Sequence, residues 1–172
     1  MSLSPAYQAL CQKLDDLPGI GPEGAARLAE WLVYDNRAAD LALALNAVAA
    51  GVLCQGCNLV RDSLEHCRVC DSASGSALVV VESVRDVERL WTAGVRAPIW
   101  CLHGLLSPTR GVGPAQLKLA AVIERSECFD RLIVATHGSV EGQVTADYLL
   151  KKSPVDGRAV PLPELLSQNR EL

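Results

Sequence analysis

Four cysteines constrain this chain more than any other feature. They sit in "CQGC" and "CRVC" as Cys54, Cys57, Cys67 and Cys70, a C-x2-C-x9-C-x2-C pattern. Each pair makes a knuckle whose two thiolates reach one ion, and two knuckles complete the closed tetrahedral four-sulfur set of a structural Zn2+. The surrounding stretch, residues 51–76, is too short to bury a core of its own, so metal binding is expected to fold it. Redox or disulfide chemistry and an iron–sulfur cluster are the competing uses of such spacing. Compartment favours the metal. "MSLSPAYQAL" lacks the basic start and apolar run of a signal peptide, and no window approaches the ~18 apolar residues of a membrane span. The expected location is the cytoplasm, where thiols stay reduced. His66 beside Cys67 reads as a surface residue. Cys11, Cys101 and Cys128 have no partners in spacing and read as small buried hydrophobes.

The segment before the cysteines reads as helices. Residues 5–16 carry Ala6, Leu10 and Leu14 along one side. A glycine turn follows at 17–21, and Pro22 suits the first position of the next helix. There Ala25, Leu28, Ala29, Leu32 and Val33 fall at helical spacing. A third helix is expected over 37–50, with Leu41, Leu45 and Val48 turned inward. In "LPGIGP", Gly19 and Gly21 let several backbone N–H groups point one way, next to the positive end of a helix dipole. Ile20 would anchor the turn. This is the order of a helix-hairpin-helix, which grips a nucleic-acid backbone without reading bases; the plain alternative is an ordinary inter-helix turn. Gly19, Ile20, Gly21 and Arg27 are the candidate DNA contacts. Charge opposes them: residues 1–50 hold the bases Lys13, Arg27 and Arg37 against Asp15, Asp16, Glu23, Glu30, Asp35 and Asp40. With a chain net charge of −4 there is no general attraction to nucleic acid or anionic lipid. DNA binding per subunit is therefore expected to be weak, and to need either several copies acting together or a partner's basic surface.

After a linker, "DSASGS", the pattern changes. "ALVVVE", "APIWCL" and "RLIVAT" are short β-rich runs separated by helical stretches at 84–94, 114–126 and 141–152. Such alternation indicates a parallel sheet covered by helices. The fold class expected is α+β and multi-module: a helical domain at 1–52, a four-cysteine zinc finger at 53–76, an α/β domain at 77–152, and a tail with a short helix at 153–172. "GVGP" at 111–114 echoes "GIGP" but reads as a plain turn. Glu82 ends the first strand, with Arg85 and Asp86 behind it, and strand ends of open sheets are where sites form. A Mg2+ enzyme would want further acids at the end of "RLIVAT". His137 and Gly138 stand there instead, with Glu141 further on and Gln143 neutral. A docking surface fits better than a catalytic site.

The ordered set "LPGIGP", four-cysteine finger, "VVVESVRDV", "CLHGLLSPTRGVGP" and "VATHGSVEGQVTADYL" resembles the bacterial RecR family over roughly residues 5–152. The resemblance implies a Toprim domain in the second half, similar in fold to the metal-dependent Toprim of topoisomerases but not catalytic. It implies a scaffold that acts with a RecO-like and in many bacteria a RecF-like protein to load recombinase on single-stranded DNA. It further implies a homo-oligomer, a dimer or tetramer ring. By position it gives DNA contact to Gly19, Gly21 and Arg27, one zinc to the four cysteines, and a partner-facing Toprim surface to Glu82, Arg85, Asp86 and Glu141. This chain departs from the family at Glu23 (commonly Lys), at Ser83 and Val84 (commonly an acid and a Pro), at His137-Gly138 (Asn-Pro) and at Gln143 (Glu). Its tail keeps a "GRREL"-like end and is expected to have lost most of the strand before it. Two other readings follow from these departures: a Mg2+-dependent Toprim nuclease or strand-transfer enzyme using Glu82 and Glu141, and a degenerate subunit that modulates a standard RecR.

Overall fold

The computed structural model describes residues 4–51, 53–61, 63 and 65–167. The chain divides into two compact units, one up to Ala50 and one from Gly51 onward.

The first unit is helical: α1 (Pro5–Asp15), α2 (Pro22–Tyr34) and α3 (Ala38–Ala49). Prolines open α1 and α2, where no N–H is needed. Ala25, Ala29 and Leu32 are the buried face of α2. Tyr7, Leu10, Cys11 and Leu14 are the half-buried residues of α1, so the stripe runs through Tyr7 and Cys11 rather than the expected Ala6, which is exposed. The expectation for α3 is corrected. No residue of that helix is buried, and Leu41, Leu43, Leu45 and Val48 are all exposed, Leu43 by 69%. Three helices of this length enclose too little volume to bury a second apolar stripe.

The second unit is built on four parallel strands, β1 (Ala77–Val81), β2 (Ile99–Cys101), β3 (Arg131–Ala135) and β4 (Asp156–Ala159), in the order β2-β1-β3-β4. Val79 pairs with Ile99 on one side and Ile133 on the other. β1 is buried at every position, as the apolar run "ALVVV" requires of a central parallel strand. Alternate residues face two cores. Leu78, Val80, Trp100, Leu132 and Val134 pack with Leu119, Val122, Ala146 and Leu149 from α6 (Leu119–Ser126) and α7 (Val140–Lys152). Ala77, Val79, Val81, Ile99, Cys101 and Ile133 pack with Val87 and Leu90 of α5 (Val84–Thr92) and Leu162 and Leu165 of α8 (Leu162–Ser167). Cys54, Cys57, Leu59 and Cys67 belong to this second core, and a short helix, α4 (Arg68–Asp71), carries Cys70 against it.

Two expectations change. α6 begins at Leu119 rather than near residue 114, because Lys118 adopts the left-handed conformation, φ 52°. The tail, expected to hold only a short helix, also supplies a strand: β4 pairs with β3 from Arg131↔Asp156 to Val134↔Ala159, ahead of the "VPLPELLSQNREL" stretch where a family strand is expected to be missing. The β4 sequence, "DGRA", is exposed throughout and has no apolar alternation to announce it. "GVGP" lies in a turn, with Ser107 bridging to Val112. The terminal "NREL" lies outside the described residues.

Candidate metal centre and nucleic-acid interface

The four cysteine sulfurs all lie within 4.8 Å of one another. Cys54 Sγ is 3.7 Å from Cys70 Sγ, and Cys57 Sγ is 3.5 Å from Cys67 Sγ. A tetrahedral ion with metal–sulfur bonds of about 2.3 Å needs sulfurs about 3.8 Å apart, so the donors fit. The backbone shapes the cradle. A Cβ at Gly56 would meet Cys70 Sγ at 3.0 Å, and the Gly56 N–H donates to Cys54 Sγ at 3.3 Å. Burial pushes the Cys70 thiol up to about 12 and raises Cys57 further. At Cys54 burial also raises, but hydrogen bonds from the Gly56 and Cys57 N–H groups and from the Cys67 and Cys70 thiols together outweigh it and bring the thiol down to about 7. A divalent cation is what lets four such buried sulfurs ionise together. His66 stays exposed, with its Nδ1 3.7 Å from Asp71 Oδ2. Of the other cysteines, Cys101 is buried, Cys11 half-buried and Cys128 exposed, so the buried reading fails at Cys128.

The finger is latched to the sheet by residues that the spacing of cysteines did not reveal. Cys101 N–H donates to Cys57 O at 2.9 Å. Asn58 is 5% exposed and left-handed, φ 59°. Its Nδ2 donates to Cys101 O at 2.8 Å, its Oδ1 accepts from Lys118 Nζ at 3.3 Å, and its carbonyl accepts from His103 Nε2 at 2.6 Å. The signals were present in "CQGCN" and "CLHG", but only the fold brings them together.

In the helical unit, Gly19 takes φ 80° and Gly21 caps α2 in an extended conformation. Ile20 is half-buried, and a Cβ at Gly24 would touch its Cγ2 at 3.4 Å. The first-turn N–H groups of α2 have no intrahelical acceptors. They open on a concavity of about 970 Å3 lined by residues 19–24 with Arg27 and Leu28. Glu23 shares that wall with Arg27. The arrangement can hold one anionic oxygen, at a discount for the adjacent carboxylate.

At the C-terminal end of the sheet the expected residues separate into two groups. Glu82 Oε2 accepts from His137 Nδ1 at 2.9 Å, and His137 Nε2 lies 3.7 Å from Asp86 Oδ1. Asp86 is 1% exposed and accepts from the Ser83 N–H and hydroxyl, at 3.1 and 2.7 Å, as a cap on α5. Arg89 Nη1 reaches its other oxygen at 3.4 Å. Glu141 is engaged elsewhere: Ser107 Oγ and Arg110 Nη2 each donate to it at 3.4 Å. Among the described residues no hydrogen bond or ion pair joins Glu141 to Glu82. Arg85 is exposed on the first turn of α5. In sequence His137 reads only as a poor replacement for an acid; its place between two carboxylates emerges from the fold.

Residues 76–160 match the Toprim domain family. Three curated relatives carry the name Recombination protein RecR. One, from Thermus thermophilus, is 36% identical over 158 residues, covering 90% of this chain and 81% of that one. Another, from Heliobacterium modesticaldum, is 39% identical over 150 residues, covering 83% and 75%. A third, from Anaeromyxobacter dehalogenans, is 38% identical over 161 residues, covering 88% and 80%. Among the described residues no helix is long and apolar enough to cross a membrane.

Proposed function

The chain belongs to the RecR family of recombination proteins, and from that premise we propose that it is a non-catalytic scaffold of recombinational DNA repair. In this reading it holds DNA at the glycine turn and helps a RecO-type protein, and a RecF-type protein where one exists, to load recombinase on single-stranded DNA. The Toprim surface around Glu82, Arg85 and Glu141 is the partner-facing side; Asp86, expected there too, is buried beneath it as the cap of α5 and is removed from the contact set. The four cysteines hold one structural Zn2+ per chain, whose closed thiolate set leaves no position for a substrate. The modules are hairpin helices to about residue 52, the finger at 53–76 and a Toprim domain from 77; its expected end at 152 moves outward to take in β4, and the tail follows. The cytoplasm suits the reduced thiols.

One observation carries the non-catalytic reading. Phosphodiester chemistry with Mg2+ needs carboxylates free to take hard-cation bonds. Here Glu82 and Asp86 face the His137 ring, and Glu141 is tied to Arg110.

Glu23→Lys tests the DNA site. The substitution puts a cation on the same concavity as Arg27 and removes an anion from it. It is expected to tighten DNA binding and to steepen the dependence of log K on log salt by about one unit. Anisotropy titrations from low to moderate salt measure both, and DNA recovered afterwards with Mg2+ present should be intact. An unchanged slope would mean that the turn does not face DNA.

Assembly is supported by α3, which keeps Leu41, Leu45 and Val48 exposed along one side, with Leu43 exposed on the other. Such an apolar face is covered in an oligomer. Light scattering should find a dimer or larger for the wild type and the single-chain mass for Leu45→Asp. Equal masses would remove α3 from the interface.

A further inference from the structure

The helical unit has too few cations to hold DNA by charge, and the structure puts the few it has in one place. Lys13 is paired with Asp16, at 3.1 Å. The remaining two, Arg27 and Arg37, both lie beside one aromatic residue. Trp31 stands one helical turn beyond Arg27, and Tyr34 follows at the next helical step, so the three share a face of α2. Trp31 is 46% exposed and Tyr34 80%. Asn36 takes the left-handed conformation, φ 55°, just after α2 ends. The chain reverses there and brings Arg37 back, with its Cζ 4.9 Å from the centre of the Trp31 ring. This face runs on from the concavity at the glycine turn, which already includes Arg27.

A large indole left half in water, with a guanidinium stacked on it, is a flat cationic platform. Every nucleobase has a π face that can stack on such a surface, and only an unpaired base can reach it. Duplex DNA keeps its bases stacked inside and offers phosphates alone. The acids around the platform decide which force matters. Glu23 lies one turn before Arg27 and Glu30 one turn after it. They offset the two arginines, so Coulomb attraction over the face is close to nil, and stacking has to supply the affinity.

We propose that the Trp31–Arg37 pair, extended by Tyr34, is a base-stacking platform that gives this chain its preference for single-stranded over duplex DNA. The proposal rests on the DNA-binding reading above and adds the form of DNA and the residues that choose it. Phosphate held at residues 19–24 sets the strand's path. Bases beyond it stack along α2.

The test uses the full-length protein with a labelled oligo(dT) of about 20 nucleotides and a duplex of the same length, by anisotropy at two salt concentrations. Trp31→Ala should weaken oligo(dT) binding roughly fivefold to a hundredfold, leave the duplex unaffected and leave the salt slope unchanged. Trp31→Phe, which keeps a ring, should retain most of the affinity. Arg37→Ala should give a smaller loss on oligo(dT) alone. Trp31 is an exposed side chain, and light scattering and melting confirm that each variant keeps its fold and mass. If Arg27→Ala weakens both DNAs while Trp31→Ala changes neither, or changes both equally, the platform is wrong and the glycine-turn reading survives. If Trp31→Ala lowers the particle mass, the face belongs to a second copy and the platform is wrong. If the wild type binds neither DNA, both readings fall.

Discussion

Cys67→Ser is expected to strip the protein of its metal and to lower the melting temperature of the unit beyond residue 50 by about 10 °C or more. Binding of structural zinc is worth about 10–16 kcal/mol in small zinc modules at neutral pH, and almost all of it is folding energy. Removing one thiolate opens the tetrahedron and forfeits much of that. The effect reaches past the finger, because Cys54, Cys57 and Cys67 share a core with Val79, Val81 and Ile99 of the sheet. When the finger unravels, one face of β1 and β2 loses part of its cover. Metal content by atomic emission, read beside a thermal melt, measures both parts. A variant that keeps one zinc per chain and melts like the wild type would show that the ion is not held by this set.

The second large effect belongs to Asn58, which no spacing rule singles out. Asn58→Ala should cost about 2–3 kcal/mol and speed zinc loss to a chelator several-fold. Two penalties add. Alanine is strained at φ 59°, where asparagine is tolerated. The Cys101 carbonyl and the Lys118 ammonium then lose the side-chain groups that now meet them at 2.8 and 3.3 Å. Asn58→Gly separates the two: it relieves the backbone but still lacks the side-chain bonds, so its loss should be about 1 kcal/mol smaller than that of the alanine variant. Equal stability of wild type and both variants would mean that the latch contributes nothing.

The parts of this molecule legible from sequence are those set by local chemistry. The glycine turn and Pro22 marked where α1 stops and α2 starts. Unbroken apolar runs marked β1 and β3, and cysteine spacing marked the four sulfurs that come together as a cluster able to hold a metal. What stayed hidden depends on contacts distant in sequence. β4 is four exposed residues held by hydrogen bonds to β3, so no apolar pattern betrays it. The late start of α6 follows from Lys118, whose left-handed turn accompanies a bond to Asn58, far back in the chain. α3 misled for the opposite reason. Its leucines are real helix formers, but an apolar stripe says that a surface is to be covered and not by what. The sheet-end acids were each found, yet their division into a His137 group and an Arg110 group could not be read from their order in the chain.

The hydrogen bonds at Cys101 have a further meaning for solubility. β2 is the outermost strand on its side of the sheet. A bare strand border is an adhesive template for another chain. Here both backbone groups of Cys101 are occupied, its N–H by Cys57 and its carbonyl by Asn58. On the proposed zinc reading, newly made protein that fails to capture an ion would leave that border uncovered. Metal shortage would then convert this polypeptide into a self-sticking one, and clumping rather than simple idleness would be the outcome in a starved cell.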